Sequence, residues 1–399
     1  MNILLPGDDG FDAERRSLNP AVDAKPFKII ISGGTADVRT AIETARREDL
    51  PFAVQATGHG THVPADGGLL LKTGSMARVL VDPDRRVAVA GPGARWSDVL
   101  AAAAPFGLAP LSGSSPSVGV TGYTLGGGMG WLARKYGLAA DSVLRAEVVL
   151  ADGRTVVASP DRHADLFWAL RGGGANFGVV TRLHFRLYPV SQVVAGTVTL
   201  PRDGELIARY RDWASGAPEE TSTALMVRPD GLMLKVMHAG PAVEARKLLR
   251  PFTSAATASD LRQIGYAEAA MGGTPARYMD YLPALSDPAI AAILAVEASN
   301  VEIRHWGGAI ARGTGPAGHR DAPFTAIVDT PGVSEGLRPF GIGGTFLNFL
   351  ADPSRVDTAY TAANLARLRE IKAAYDPTNF FRVNHNITPS IGNVERKAA

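Results

Sequence analysis

Cysteine is absent from all 399 residues. That excludes disulfides, thiolate metal sites, thiol nucleophiles and any cysteinyl bond to a cofactor. An excess of one charge is lacking too. The 41 Lys and Arg against 39 Asp and Glu leave a formal net charge of +2, no electrostatic footprint for nucleic acid or an anionic membrane. No run of eighteen apolar residues occurs, so no transmembrane helix is expected. The N-terminus, Met1-Asn-Ile-Leu-Leu-Pro-Gly-Asp-Asp, has too short an apolar stretch and too early an acidic pair for a signal peptide. A cytoplasmic protein is expected. With 46% hydrophobic and 20% charged residues, the chain has material for two domains.

What is present reads as alternating short elements. Lys28-Ile-Ile-Ile is a strand, Thr35–Arg47 a helix with Ile42 and Ala45 on its apolar side, and Phe52–Val54 a second strand. Leu69–Lys72, Val79–Val81 and Val87–Ala90 are short strands between turn residues. A helix over Trp96–Ala104 follows, then strands Val143–Leu150 and Val179–Leu187, with an Asp-Gly hairpin signature at Ala151-Asp-Gly-Arg. After Pro189 the texture changes. Residues 191–350 alternate strands (192–200, 224–228, 232–238, 301–303) with helices (206–213, 241–252, 288–296), and read as an inserted α+β domain whose sheet is covered by helices. Arg355–Tyr375 is expected as one amphipathic helix. The divisions expected are 1–190, 191–350, and 351–399 returning to the first part.

Four stretches carry chemistry. Phe52-Ala-Val-Gln-Ala-Thr-Gly-His-Gly-Thr-His62 runs from a strand into a turn in which Gly58 and Gly60 flank His59. Consecutive N–H groups in such a turn form an anion nest suited to a pyrophosphate. Residues 112–130 hold seven glycines in nineteen positions, which suits an extended ligand lying along bare backbone. This run lacks the Gly-Lys-Ser/Thr ending of a Walker loop and does not join strand to helix as a dinucleotide fingerprint does. Arg171-Gly-Gly-Gly-Ala-Asn-Phe-Gly178 and Asn384-His-Asn386 are further backbone-approach and polar sites. Taken singly, each is as consistent with an ordinary turn.

Together and in this order they resemble the FAD-linked oxidases of the vanillyl-alcohol-oxidase fold, also called the PCMH-type FAD-binding fold, in the berberine-bridge-enzyme-like branch. The resemblance runs nearly end to end: Pro6-Gly-Asp, Thr57-Gly-His-Gly, Pro116-Ser-Val-Gly-Val-Thr-Gly, Gly126-Gly-Gly-Met-Gly, Asp165–Val180 and Tyr375–Ile387. It implies an α+β chain, with a PCMH-type FAD-binding domain of two α/β subdomains plus a substrate domain with an antiparallel sheet. It implies FAD bonded through His59. Gln55, Ala56, Thr57, Gly58, Gly60 and Thr61 would then hold the pyrophosphate. Ser114, Ser115, Val118, Gly119, Thr121, Gly122, Gly126 and Gly128 would run along the flavin and ribityl chain. Val180, Asn384 and Asn386 would line the cofactor too. Relatives with two covalent bonds carry cysteine at Ser115, so at most one bond is expected here. That likens the chain to 6-hydroxy-D-nicotine oxidase and mitomycin-resistance-type oxidases. A small residue at Val118 goes with reactivity toward O2.

The pattern breaks at the tyrosines that many alcohol and sugar oxidases of the family place near flavin N5. Here those positions are Met129, Phe346 and Phe349, read as a greasy wall of the substrate pocket; phenylalanine cannot accept a proton. Tyr123, His319 and Arg304 remain as catalytic candidates, with alternation placing Glu302, Arg304 and Trp306 on one side of their strand. The expected activity is oxidation of a bulky, mostly apolar small molecule by FAD and O2, giving H2O2, by a monomer or homodimer. The alternatives are a flavin-containing cyclase or isomerase without net oxidation, and a drug-sequestering resistance protein.

Overall fold

Short apolar runs between Gly, Pro and Asp turns become the strands of three sheets in the computed structural model, which describes residues 1–296, 299–330 and 333–390. The end of the expected 351–399 segment, from 391 on, lies outside the described residues. The first sheet orders Asn2–Leu4, Lys28–Ile31, Leu69–Lys72 and Phe52–Gln55, parallel except at its N-terminal edge. Helix Thr35–Arg47 covers it. Its Val38, Ala41, Ile42 and Ala45 pack on Ile30, Phe52, Leu69 and Leu71, the 3.6-residue stripe expected of a helix on a sheet.

The second sheet is antiparallel, in the order Val79–Asp82, Val87–Ala90, Val179–Arg186, Val143–Val149, Thr155–Ala158. The Asp-Gly turn closes its last hairpin.

The third and largest is an eight-stranded antiparallel sheet. Its main path runs Ala258–Ser259, Gln192–Leu200, Gly231–His238, Thr221–Arg228, Val301–His305, Phe324–Val328, Tyr278–Leu282, and Arg262–Gly265 also pairs with Gln192–Leu200. Helices Gly204–Ser215, Ala242–Thr253 and Asp287–Leu294 cover one face, closing over Leu225, Leu234, Val236, Ile303 and Ala326. The period-2 pleat turns Glu302, Arg304, Lys235 and Met226 to the other face.

Strands Tyr278–Leu282 and Phe324–Val328 escape a pattern reading because all five residues of each are buried. Burial on both faces removes the polar alternation that marks a strand. The helix expected over Arg355–Tyr375 starts only at Ala362, where the Thr361 side chain accepts from Asn364 N–H; Pro353–Ala359 is a separate stretch of 3-10 turns. Within the glycine stretch, Val120–Leu125 is helical. In the tail, the Phe380 ring stacks 5.0 Å from Phe52 of the first sheet, with Phe381 edge-on at 5.9 Å.

Candidate active site

The histidine turn is held from one side by the N-terminal leader. Leu18 N–H donates to the Gly58 carbonyl at 3.1 Å, Gln55 Nε2 to the Arg16 carbonyl at 2.9 Å, and Asn19 Nδ2 to the Thr61 carbonyl at 3.1 Å. Gly58 sits at φ +75, where a Cβ would lie 3.3 Å from the Leu18 nitrogen, so glycine is required. The clamp leaves His59 and Gly60 exposed, with nothing within 4 Å of a Cβ placed on Gly60. Partial burial and the charge of Arg95 hold the His59 imidazole below its ordinary value, hence neutral at pH 7. Beside the turn lies a cavity of about 490 Å³ lined by Gln55, Ala56 and Thr57 together with three cations, Arg16, Lys72 and Arg95, and with Glu14, which is ion-paired with Lys72 at 3.3 Å and leaves a surplus of positive charge.

The glycine stretch meets this turn at Gly119, where a Cβ would come within 3.1 Å of Thr57 Oγ1. Ser114, Ser115 and Val118 are half-buried, Gly119 is buried, and Gly122 is exposed with open space beside it. Beyond Gly122 the backbone is not bare. A Cβ on Gly126 would strike Asn348 at 2.6 Å, one on Gly127 the Phe346 ring at 2.8 Å, and one on Gly128 the Tyr123 ring at 2.4 Å. These glycines make room for the chain's own side chains. Asn348 fixes the packing, accepting from Gly128 N–H at 2.8 Å and donating to the Tyr123 carbonyl at 3.0 Å.

The C-terminal asparagines are set by a buried hub. Lys372 Nζ donates to the Asn176 carbonyl (2.7 Å), the Phe381 carbonyl (3.0 Å) and Asp376 Oδ2 (2.6 Å). Asn176 in turn donates to the His385 carbonyl at 3.0 Å and accepts from Ile387 N–H at 2.9 Å. His385 then lies 5.3 Å from His62, ring to ring, bringing the tail to the histidine turn. Asn384 Nδ2 donates to the Ala175 carbonyl at 3.1 Å. The Oδ1 atoms of Asn384 and Asn386, and Oγ1 of Thr121, are buried without a partner among the described residues. Buried acceptors are ordinarily satisfied, so each calls for a donor from outside the chain. Isoalloxazine N–H, ribityl hydroxyls and an anionic pyrophosphate would satisfy these oxygens and the three cations, so the site fits FAD. The Val180 side chain packs in the core, leaving only its backbone for such a contact.

Across from the glycine stretch stands the charged face of the largest sheet. Arg304 Nε donates to Glu302, which also accepts from the Thr274 backbone N–H at 3.2 Å and the Thr274 hydroxyl. Burial pushes the Glu302 carboxyl up, but Arg304 and Thr274 hold it below the ordinary carboxylate range. The Arg304 guanidinium lies over the Phe349 ring at 5.1 Å and its Nη1 approaches the Met129 sulfur at 3.6 Å. Phe346 is fully buried, edge-on to Trp306 at 5.3 Å, and Trp306 meets Tyr281 at 5.1 Å.

The three catalytic candidates fare differently. Arg304 stands in the site, but a guanidinium is a permanent cation and cannot take a proton. Burial, then Tyr266, pushes the Tyr123 phenol upward, and its hydroxyl is buried without a partner among the described residues. It is no base at neutral pH. His319 contacts Tyr281 (5.3 Å) and the Thr358 carbonyl (3.2 Å); among the described residues it makes no hydrogen bond or ring contact with Arg304 or Tyr123. Asn176, Asn348 and Lys372 were not singled out by sequence reasoning. The i,i+4 Lys372–Asp376 spacing on a helix was the one available signal for the hub.

Known proteins agree with this geometry. A family model described as an FAD binding domain matches residues 28–159, and one described as berberine and berberine like matches residues 342–388. The chain is 27% identical to an FAD-linked oxidoreductase of Bacillus subtilis (strain 168), over 97% of this chain and 96% of that protein. It is 36% identical to (R)-6-hydroxynicotine oxidase of Paenarthrobacter nicotinovorans over 200 residues, 49% of this chain and 44% of that one. The crystal structure of 6-hydroxy-D-nicotine oxidase from Arthrobacter nicotinovorans superposes with a TM-score of 0.88 at 26% identity, covering 98% of both chains. The fold is thus that of an FAD-linked oxidoreductase. The chain belongs to the berberine-bridge-enzyme-like family of FAD-linked oxidoreductases. Among the described residues no helix is long and apolar enough to cross a membrane, and no acidic, His or Cys cluster could hold a metal.

Proposed function

We propose that the protein is an FAD-dependent oxidase of a bulky, mostly apolar small molecule, with FAD bonded through His59 alone. One observation carries the substrate reading. The sheet face turned toward the glycine stretch presents Met226, with Met129 and Phe349 across from it, where alcohol-oxidising relatives would place tyrosines. Thioethers and an aromatic face adapt to irregular apolar shapes. FAD, when bound, would supply the two-electron acceptor for the oxidation, with O2 as the final acceptor giving H2O2.

The chain's own residues do the rest. Arg16, Lys72 and Arg95 neutralise the pyrophosphate beside residues 55–61. The orphaned oxygens of Thr121, Asn384 and Asn386 accept hydrogen bonds from the cofactor, and Val118 leaves room for oxygen. Neutral His59 is competent as the linking nucleophile, and Ser115 offers no sulfur for a second bond. With neither Arg304 nor Tyr123 able to take a proton, the substrate group oxidised is one that reacts without losing a proton first, such as a neutral amine. We place the FAD-binding part at 1–190 and 351–399, and the substrate part at 191–350. The same lack of a base favours a second reading, a template for cyclisation without net oxidation. Anaerobic mixing with a substrate separates the two, because an oxidase must bleach its flavin.

The decisive experiment is acid precipitation of the purified protein. A yellow pellet whose mass is one FAD above the chain is expected, and His59→Ala should lose that colour. Flavin released to the supernatant leaves an FAD protein without the bond. Absence of flavin overturns the function.

A further inference from the structure

The charged groups on the site face of the largest sheet are more than a wall requires. Lys235, Ala224 and Arg304 lie in one row across three adjacent strands, with Glu302 one pleat away. Two cations thus share one carboxylate. Lys235 is half-buried, with no hydrogen bond or ion pair among the described residues. The Arg304 side chain retains 7% exposure and Glu302 1%.

The bonding of the pair is lopsided. Glu302 is saturated by Arg304 Nε and by both donors of Thr274. Arg304 has five N–H groups, and among the described residues only Nε finds an oxygen; Nη1 has the weak Met129 sulfur. Its Nη2 is turned toward Gly273, where a Cβ would lie 3.4 Å from it and 3.7 Å from Ser114 Cβ. The free end of the fork therefore opens at the junction of the glycine stretch and the 272–274 turn, flattened against Phe349. A buried fork with unused parallel donors and a surplus positive charge matches a bidentate anionic oxygen group.

We propose that Arg304, assisted by Lys235, binds an anionic oxygen group of the substrate, a carboxylate or phenolate on the bulky apolar molecule. This rests on the oxidase reading for the location of the substrate, and refines it. The apolar surface binds the body of the molecule while the fork fixes one end and so orients the bond to be oxidised. Arg304 is a positioning and specificity residue rather than an acid or base.

The test is calorimetric titration of the flavin-loaded protein at low salt with 2-naphthoate and with 2-naphthamide, isosteres that differ in charge. The carboxylate should bind at least tenfold more tightly to the native protein. That preference should vanish in the double variant Glu302→Gln with Arg304→Gln, which removes both charges together and avoids a lone buried carboxylate. Equal binding of the two probes, binding of neither, or a preference surviving in the double variant overturns the proposal. If the double variant does not fold, Arg304→Lys decides, since it keeps the charge and loses the fork. A fall of at least threefold in the ratio is expected, and an unchanged ratio overturns it. Flavin content by acid precipitation, measured on the same samples, tells the two readings apart. Charge discrimination without flavin sinks the oxidase and spares the anion site; flavin and peroxide formation without discrimination does the reverse.

Discussion

Two buried ion pairs in this protein look alike by burial and differ in bonding. Lys372 and Asp376 are fully enclosed, each at 0% exposure. Lys372 spends its three donors on Asp376 and the carbonyls of Asn176 and Phe381, while Asp376 accepts from the Phe380 and Phe381 N–H groups at 2.8 and 2.9 Å. Nothing is left for a ligand. Glu302 and Arg304 are closed on the carboxylate side and open on the guanidinium side. A saturated pair fixes chain to chain; an unsaturated one at the same burial waits for a partner. Burial of charge therefore does not identify a site, and the unspent donors do.

The comparison is most directly broken at its closed end. Lys372→Met leaves Asp376 buried with only backbone donors, and removing one partner of such a pair costs about 3–5 kcal/mol. The urea midpoint should fall accordingly, and the tail bearing Asn384 and Asn386 should become protease-sensitive. A cost under about 1 kcal/mol would mean that the hub does not hold the tail. A smaller effect comes from pH. Burial first, then His62, lowers His385 to about 4, against an ordinary value of 6.5. Between those values the unfolded chain binds the proton and the folded chain does not, so stability falls as pH drops from about 6.5 to about 4. The loss is on the order of 2–3 kcal/mol. Urea titrations across that range should show at least this slope, and His385→Gln should remove its share, leaving the part due to His305, which burial and Arg134 lower to about 3.

Much of this was legible in the sequence and part was not, for physical reasons. An apolar run located Lys28–Ile31, and periodicity located Thr35–Arg47, buried on one side, and Val179–Arg186, where Arg182, His184 and Arg186 alternate with buried Thr181, Leu183 and Phe185. Strands Tyr278–Leu282 and Phe324–Val328 carry no such contrast. Alternation correctly set Glu302 and Arg304 on one face, but no local pattern says that Thr274 saturates one of them and nothing saturates the other. The glycines show the same boundary. Their density marked a place where backbone is approached closely, and only the fold reveals that at Gly126, Gly127 and Gly128 the approaching groups are Asn348, Phe346 and Tyr123.

Tyr123 offers the finest test of the difference between a site and a packed interior. Its ring fills the space left by Gly113 and Gly128, edge-on to Trp96 at 5.5 Å, and its hydroxyl is buried without a partner among the described residues. A phenol raised by burial and donating to nothing contributes ring volume rather than chemistry. Tyr123→Phe keeps that volume and removes only the unsatisfied hydroxyl, so stability should change by less than about 1 kcal/mol, with stabilisation as admissible a sign as loss. Flavin incorporation should be complete and the rate of flavin bleaching by substrate unchanged within about threefold, since general acid–base participation would be worth about a hundredfold or more. A hundredfold loss in that rate, with folding and flavin intact, would move the hydroxyl out of the core and into the reaction, and would place the missing proton acceptor on the glycine side of the site, opposite Arg304.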